Sequence, residues 1–431
     1  MPNKSIAAGS SIVPVYFDLK RYFQLALLLA SGGGIYAVIY MRQNFETTLL
    51  QAFGISSGDL GQLYSMLGVV FALSYGPSGW IADRFSSRLL ISFSMVAVGL
   101  LGLWFSCYPP KAYLKIIFIC WGLTSGLTFW AALIKSVKAL AGPGEQGRFF
   151  GILDGGRGLV EASMATVGVS LFAWMSYQGA LPQASLRPVI YLYSFTSIAV
   201  GLLIFFFLDA VGEAEKSARG KNAMPAIGLI RGCKLLLGIP ELWLMALIIF
   251  TGYQLFWATY SFSAYLQIGY GMSAVMAGMI TVAKLWMRPI GGIGGGFLGD
   301  RFSSATILSI SMLLASVGLI LLIALPGSAG IYFFLPVVLL IGVMTFAVRG
   351  LYWSLLDKCK VPAAVTGLAI GIVSVLGYLP DIFLPLLNAA ILEHYPGAQG
   401  FRIYFSYIAA MGLLGSMLAL RFRYLTQGAA A

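Results

Sequence analysis

Apolar runs long enough to cross a lipid bilayer recur twelve times along the chain, and no other feature leaves so few folds open. They fall near 22–41, 60–82, 89–108, 113–135, 149–177 and 189–209, then near 242–267, 273–298, 305–325, 331–356, 362–392 and 401–420. A bilayer core takes about 20 consecutive apolar residues per helix. Lipid offers the backbone no hydrogen-bond partners, so an open chain crosses it only as helices. The side chains agree, with 59% hydrophobic, 10% charged and a mean hydropathy of +0.88. A water-soluble domain carries about 25% charged residues. The expectation is an all-α polytopic membrane protein, and soluble catalytic domains and disordered scaffolds are excluded.

The runs divide six and six around a polar stretch that holds Glu213, Glu215, Lys216, Arg219, Lys221, Arg231 and Lys234. The expected organisation is an N-terminal six-helix bundle over 1–209, a cytoplasmic linker over 210–240 and a C-terminal six-helix bundle over 241–431. Basic residues orient such proteins, because they collect in cytoplasmic loops. Of the 27 Lys and Arg, eighteen fall on the side of the termini, against five (Arg42, Lys111, Lys115, Arg187, Arg402) on the other. Both termini are therefore expected in the cytoplasm. The halves also echo one another. Gly79-Trp-Ile-Ala-Asp83-Arg84-Phe85-Ser86-Ser87 ends span two, and Gly296-Phe-Leu-Gly-Asp300-Arg301-Phe302-Ser303-Ser304 ends span eight. Weaker echoes set Phe129-Trp130 through Lys135 against Tyr352-Trp353 through Lys358, and Arg187 against Arg402. Two related halves about an axis along the membrane normal are the arrangement used for alternating access.

The repeated Gly-x-x-x-Asp-Arg loop resembles the signature of the Major Facilitator Superfamily. Tyr40-Met-Arg42-Gln-Asn44-Phe45, followed by Gly-Asp-Leu-Gly at 58–61, is similar to the first span and loop of the organophosphate:phosphate antiporters. Leu133-Ile-Lys135-Ser-Val, Glu145-Gln-Gly-Arg148-x-Phe-Gly151 and Gly156-Arg157-Gly158 resemble the YihN-like permeases more closely. The resemblance covers essentially the whole chain and implies a twelve-helix transporter. It implies a substrate arginine at the end of span one, matched by Arg42, and another in span seven. There this chain runs from Gly252 to Ser261 with no basic residue, and the antiporters' binding-site histidine in span five falls at Arg157. The resemblance also makes Asp83, Arg84, Asp300 and Arg301 a gating latch that opens as the halves rock.

Ionisable groups inside spans are costly and point to function by default. Asp154, Arg157 and Glu161 lie at i, i+3 and i+7 in span five, on one helical face. Glu161 is expected to pair with Arg157 in the empty state or to carry a proton, and Asp154 to tie span five to Lys135 or Lys138. Lys284 and Arg288 stand four apart in span eight, Arg349 in span ten, and Asp381 between Pro380 and Pro385 in span eleven. Arg349 and Asp381 are expected to pair, since buried charges normally do. The cations outnumber the acids and favour an anionic solute. Its expected contacts are Arg157, Arg349, Arg288, Arg42, Trp353 and Tyr378, with proton coupling or charge pairing at Asp154, Glu161 and Asp381. Among the mid-span aromatics Trp130, Trp257, Trp353 and Tyr378 are cavity candidates, while Tyr108, Tyr113, Trp243, Tyr332 and Tyr395 at span ends read as interfacial anchors.

Other chemistries lack their residues. The four cysteines (Cys107, Cys120, Cys233, Cys359) are scattered and His394 is the single histidine, so neither disulfide frameworks nor metal sites are expected. Two GxGxxG matches, at 142–147 and 294–299, follow no strand and fail as nucleotide loops. No cofactor, catalytic centre or nucleic-acid partner is expected. The reading is a monomeric secondary transporter of a small organic anion, a carboxylate or phosphate-bearing metabolite, with a co-transported or exchanged ion as a further partner. One alternative is a neutral or zwitterionic solute with purely structural intramembrane charges. A second is a non-transporting membrane sensor on the same fold.

Overall fold

The computed structural model describes residues 19–141, 146–209, 229–326, 331–362 and 365–428. The linker residues 210–228, the first part of the glycine motif at 142–147 and the Asp83 side chain lie outside the described residues. What is described is helical and free of strands. Spans one to six run over Leu19–Phe53, Ser57–Arg84, Ser87–Phe105, Lys111–Leu140, Gln146–Tyr177 and Pro182–Phe207. Spans seven to twelve run over Pro240–Tyr270, 274–301, Ser304–Ala324, 331–359, 366–394 and Ala398–Gly428. Ten of these segments are apolar enough along their length to be spans by composition alone. Spans two and eight are equally long, and their many glycines and charges keep them below that apolar threshold.

Local sequence explains the span limits. Ser56 and Asp59 form a reciprocal capping box at the start of span two, and Lys111 pairs with Asp59 across the neighbouring loop. Pro182 and Pro240 open spans six and seven, where a missing backbone N–H costs nothing. Gly54 and Gly271 close the preceding turns with φ of 61° and 65°.

The two halves meet chiefly where span two faces span eleven, span five faces span eight, and span one faces spans seven and eight. Spans two and eleven approach so closely that a Cβ on Gly61 would sit 2.6 Å from the Pro385 carbonyl. Spans five and eight pack along much of their length, and span one meets span seven near its far end. Small residues permit such helix contacts in lipid.

Several spans are broken in mid-membrane. Span one stops at Ile39 and restarts at Arg42, and span four carries a wide turn over Leu123–Phe129. Span seven, the repeat partner of span one, breaks likewise in a tight turn over Thr259–Ser261, and span ten ends in one over Tyr352–Cys359. Span eight breaks at Trp286, because Pro289 lacks the N–H that would bond Leu285 and crowds its carbonyl. Pro380 does the same to span eleven after Gly377. Of the expected linker, the described part forms a short helix, Leu229–Leu237, joined to span seven by Trp243 Nε1 donating to the Leu236 carbonyl at 3.1 Å.

Candidate functional site: a charged cavity between the halves

A cavity of 1010 Å³ lies between the two bundles. Its walls come from both halves, with Gly32, Tyr36 and Tyr40 of span one, Phe71, Tyr75 and Ser78 of span two, and Trp130 of span four. The second half contributes Tyr253, Phe256 and Tyr260 of span seven, Trp353 of span ten, and Ser374 and Tyr378 of span eleven. The lining reaches Ser78, Trp243 and Leu368, close to the span ends on the side of the termini, so the cavity opens toward that side.

The opposite end is shut by polar contacts across the halves. Thr47 and Gln267 approach to 2.6 Å, Ser263 Oγ donates to the Asn44 carbonyl at 3.0 Å, and Thr281 Oγ1 donates to Asn44 Oδ1 at 2.9 Å. Just inside them the rings of Tyr40 and Tyr260 stack at 5.3 Å. The break after Ile39 turns Arg42–Phe53 into this closure, which is how Asn44 and Thr47 reach the second half.

Five charged groups line the cavity: Arg157, Glu161, Arg288, Arg349 and Asp381. Arg157 leans on span one, its Nε donating to the Gly32 carbonyl at 3.0 Å and its guanidinium 4.8 Å from the Trp130 ring. Glycine is needed at 32, because a Cβ there would come within 2.9 Å of the Arg157 Cδ. Arg349 lies 4.1 Å over the Phe256 ring and 5.8 Å from that of Tyr253. Among the described residues neither arginine has a carboxylate within ion-pair distance. They come from opposite halves, and Tyr36 and Asp381 line the cavity with them.

The expected pairings are rearranged. Glu161 does not pair with Arg157, and Asp154 does not reach Lys135 or Lys138. Both acids instead hold Arg288, which crosses from span eight with one guanidinium nitrogen on Glu161 and the other 3.2 Å from Asp154 Oδ1. Gly158 makes room for this crossing, since a Cβ there would strike the Arg288 Cδ at 2.7 Å. Lys135 donates to the Ala82 carbonyl at 2.7 Å, tying span four to the end of span two. Arg349 and Asp381 form no ion pair, and Asp381 accepts from Trp257 Nε1 at 2.7 Å.

Arg42 does not line the cavity. It is 3% exposed within the closed end, paired with Glu46 at 3.2 Å and packed on Tyr64, because the break after span one folds it into protein. Lys284 is wholly buried outside the cavity and donates to Thr259 Oγ1 at 3.1 Å. Trp353 and Tyr378 do line the cavity, with Trp353 Nε1 donating to the Tyr378 hydroxyl at 3.1 Å. Trp130 lines it as well, whereas Trp257 stands behind Asp381. Trp243, expected as a lipid anchor, also faces the cavity. Of the latch residues, Arg84 lies 3.8 Å over Trp80 and Arg301 5.6 Å from Phe302, with Asp300 exposed. None of these three makes an ion pair among the described residues.

Five tyrosines in the lining, Tyr36, Tyr40, Tyr75, Tyr253 and Tyr260, were not singled out from the sequence. Their signal was present in the spacing, since Tyr36 and Tyr40 stand at i, i+4, and Tyr253, Phe256 and Tyr260 at i, i+3, i+7. Each set covers one helical face at mid-span.

Comparison with known proteins gives the same assignment from sequence and from shape. The family profile described as Major Facilitator Superfamily matches residues 22–385. Inner membrane protein YqcE of Escherichia coli K12 is 30% identical over 404 residues, covering 92% of this chain and 93% of that protein. Inner membrane protein YihN of the same strain is 28% identical over 411 residues, covering 93% and 94%. Among solved structures the nucleoside transporter NupG, crystallised as a point mutant, superposes with a TM-score of 0.73 at 12% identity, covering 93% of this chain and 99% of that one. A bacterial homolog of the human lysosomal transporter Spinster, inward-facing and unoccupied, superposes with a TM-score of 0.69 at 15% identity, covering 94% and 99%. At those identities the likeness is one of fold. With a family profile spanning most of its length, the chain belongs to the Major Facilitator Superfamily and is a membrane transporter of a small-molecule solute.

Proposed function

We propose that the protein carries a small organic anion across the cell membrane by alternating access, the solute binding between Arg157 and Arg349. The observation that carries this reading is the pair of guanidiniums, one from each half, that face the cavity without a carboxylate partner among the described residues. A guanidinium offers a planar fork matched to carboxylate and phosphate. Holding one anion from both halves links occupancy of the site to their closure. Arg288 is engaged by Asp154 and Glu161, so it serves as a tie between halves and not as a primary substrate contact.

The excess of basic residues on the side of the termini supports a cytoplasmic location for both ends. With that orientation the cavity opens to the cytoplasm and the Asn44 closure seals the outer end. The 1–209 and 241–431 bundles act as the two moving bodies and a monomer suffices. Arg84 and Arg301 cap the cytoplasmic ends of spans two and eight, positions suited to a latch between neighbouring helices. Coupling to a proton or to a second anion runs through Glu161, Asp154 or Asp381, the acids in or beside the cavity.

A solute that binds the folded protein raises its unfolding temperature by mass action. Purified protein is heated with a panel of carboxylates, phosphate esters, and neutral and cationic metabolites, alongside Arg157→Gln and Arg349→Gln. Carboxylates or phosphate esters should stabilise wild type and neither variant. Stabilisation by neutral or cationic compounds alone, equal in all three proteins, would overturn the anion reading.

A further inference from the structure

Asp381 is the one charged group facing the cavity whose partner the sites above do not supply. It is the second residue of Pro380–His394, presented by the break after Gly377, and it is 6% exposed. Its place is fixed from behind. Trp257 Nε1 donates to Oδ1 at 2.7 Å, and Tyr253 faces the same carboxylate. Its backbone carbonyl abuts span two, where a Cβ on Gly68 would lie 2.5 Å away. The positive end of the helix it opens adds a favourable field. Among the described residues no Lys or Arg stands within ion-pair distance of it.

The charges around the cavity then sort into two groups. Arg288, Glu161 and Asp154 satisfy one another across spans five and eight. Arg157, Arg349 and Asp381 remain uncommitted, two forks and one acceptor, with Tyr36 lining the cavity beside them. A plain anion would fill the forks and leave a desolvated carboxylate looking at another negative charge. An ionised carboxylate only accepts hydrogen bonds and has more acceptor positions than Trp257 and Tyr253 occupy. The group it lacks is a donor.

We propose that Asp381 is a donor-binding subsite, and that the solute is an anion that also bears a hydrogen-bond donor, ammonium or hydroxyl. The anionic group lies between Arg157 and Arg349 and the donor meets Asp381. This rests on the anion reading above and narrows it. Leaving a buried polar group unpaired is the strongest way a site rejects an analogue. An acid without the donor is therefore a poor ligand even where it fits.

The test is a titration, followed by thermal unfolding, with two matched trios: propanoate, lactate and alanine, and hydrocinnamate, phenyllactate and phenylalanine. Within a trio the carboxylate and carbon skeleton are constant and only the donor changes. Wild type should bind the better donor-bearing member about tenfold or more tightly than the plain acid, the discrimination expected when a site's polar group is left unpaired. Preference for the amino acids marks an ammonium, and preference for the hydroxy acids marks a hydroxyl. Asp381→Asn should abolish an ammonium preference and weaken a hydroxyl one, while Arg157→Gln should weaken every member alike. Plain acids binding wild type as well as their partners, or a preference unchanged in Asp381→Asn, would overturn the subsite and leave the anion site standing. No stabilisation by any of the six would overturn the subsite, and the anion reading falls with it only if the phosphate esters of the wider panel also fail to stabilise. The wild-type comparison decides by itself if Asp381→Asn does not fold.

Discussion

Replacing Arg288 with methionine keeps most of its stem against Gly158 and removes the cation that two acids share. Stranding one partner of a fully buried pair costs about 3–5 kcal/mol. The Arg288 side chain is 8% exposed and Glu161 26%, so the Glu161 share falls below that range, at about 2 kcal/mol. Asp154 is 51% exposed, and a half-solvated pair contributes at most about 1 kcal/mol. The sum is about 3 kcal/mol. A unit of 150–250 residues, the size of one half, shifts its midpoint by about 2–4 °C per kcal/mol, so Arg288→Met should unfold about 6–12 °C lower. Thermal unfolding in detergent reads this directly. The double variant Arg288→Met, Glu161→Gln no longer strands the more buried acid, leaving only the half-exposed Asp154 unpaired, and should recover about half of the loss, as expected for residues in one network. A single variant as stable as wild type, or a double variant whose losses simply add, would refute the tie between halves.

Gly32→Ala places a Cβ 2.9 Å from Arg157 and should weaken anion-induced stabilisation, whereas Gly294→Ala, with open space around it, should leave it unchanged. Arg42→Gln strands Glu46 in the closed end and should cost about 3–5 kcal/mol in thermal unfolding. Pairing it with Glu46→Gln should return most of that loss. On a cysteine-free background, Trp243→Cys should react with a water-soluble maleimide from the side of the termini, and Thr281→Cys should not. Equal labelling of the two would contradict a cavity open at one end only.

The fold was legible because lipid enforces it: twelve apolar runs, a central polar stretch and a doubled Gly-x-x-x-Asp-Arg loop leave one architecture. The site was legible in its cast and less so in its pairings. Arg157, Arg349, Arg288, Glu161 and Asp381 do converge on the cavity. Which acid meets which base depends on the crossing of spans five and eight, a distance that linear spacing does not carry. Spacing suggested that Glu161 would meet Arg157 on its own helix, yet Arg288 arrives from the opposite half through the gap at Gly158. Arg42 was misplaced for a related reason. Its run reads as one continuous span, and the break after Ile39 that folds it onto Glu46 has no proline to announce it. The tyrosines were overlooked because aromatic stripes in apolar helices usually mean packing. Only the cavity distinguishes Tyr36 and Tyr253 from core.

The mid-membrane breaks have a consequence for leakage. They recur in spans one and seven at matching places in the two halves, about twenty residues into each span. A continuous helix swings as a rod, so sealing one end opens the other in the same stroke. A jointed helix can bend its near end inward while its far end stays put, since a few terminal residues absorb the change in backbone angle. Both ends can then be shut at once, with the solute enclosed among the tyrosines. Under the alternating-access cycle proposed above, such joints provide for an interval of occlusion in which no continuous water path exists while cargo changes sides.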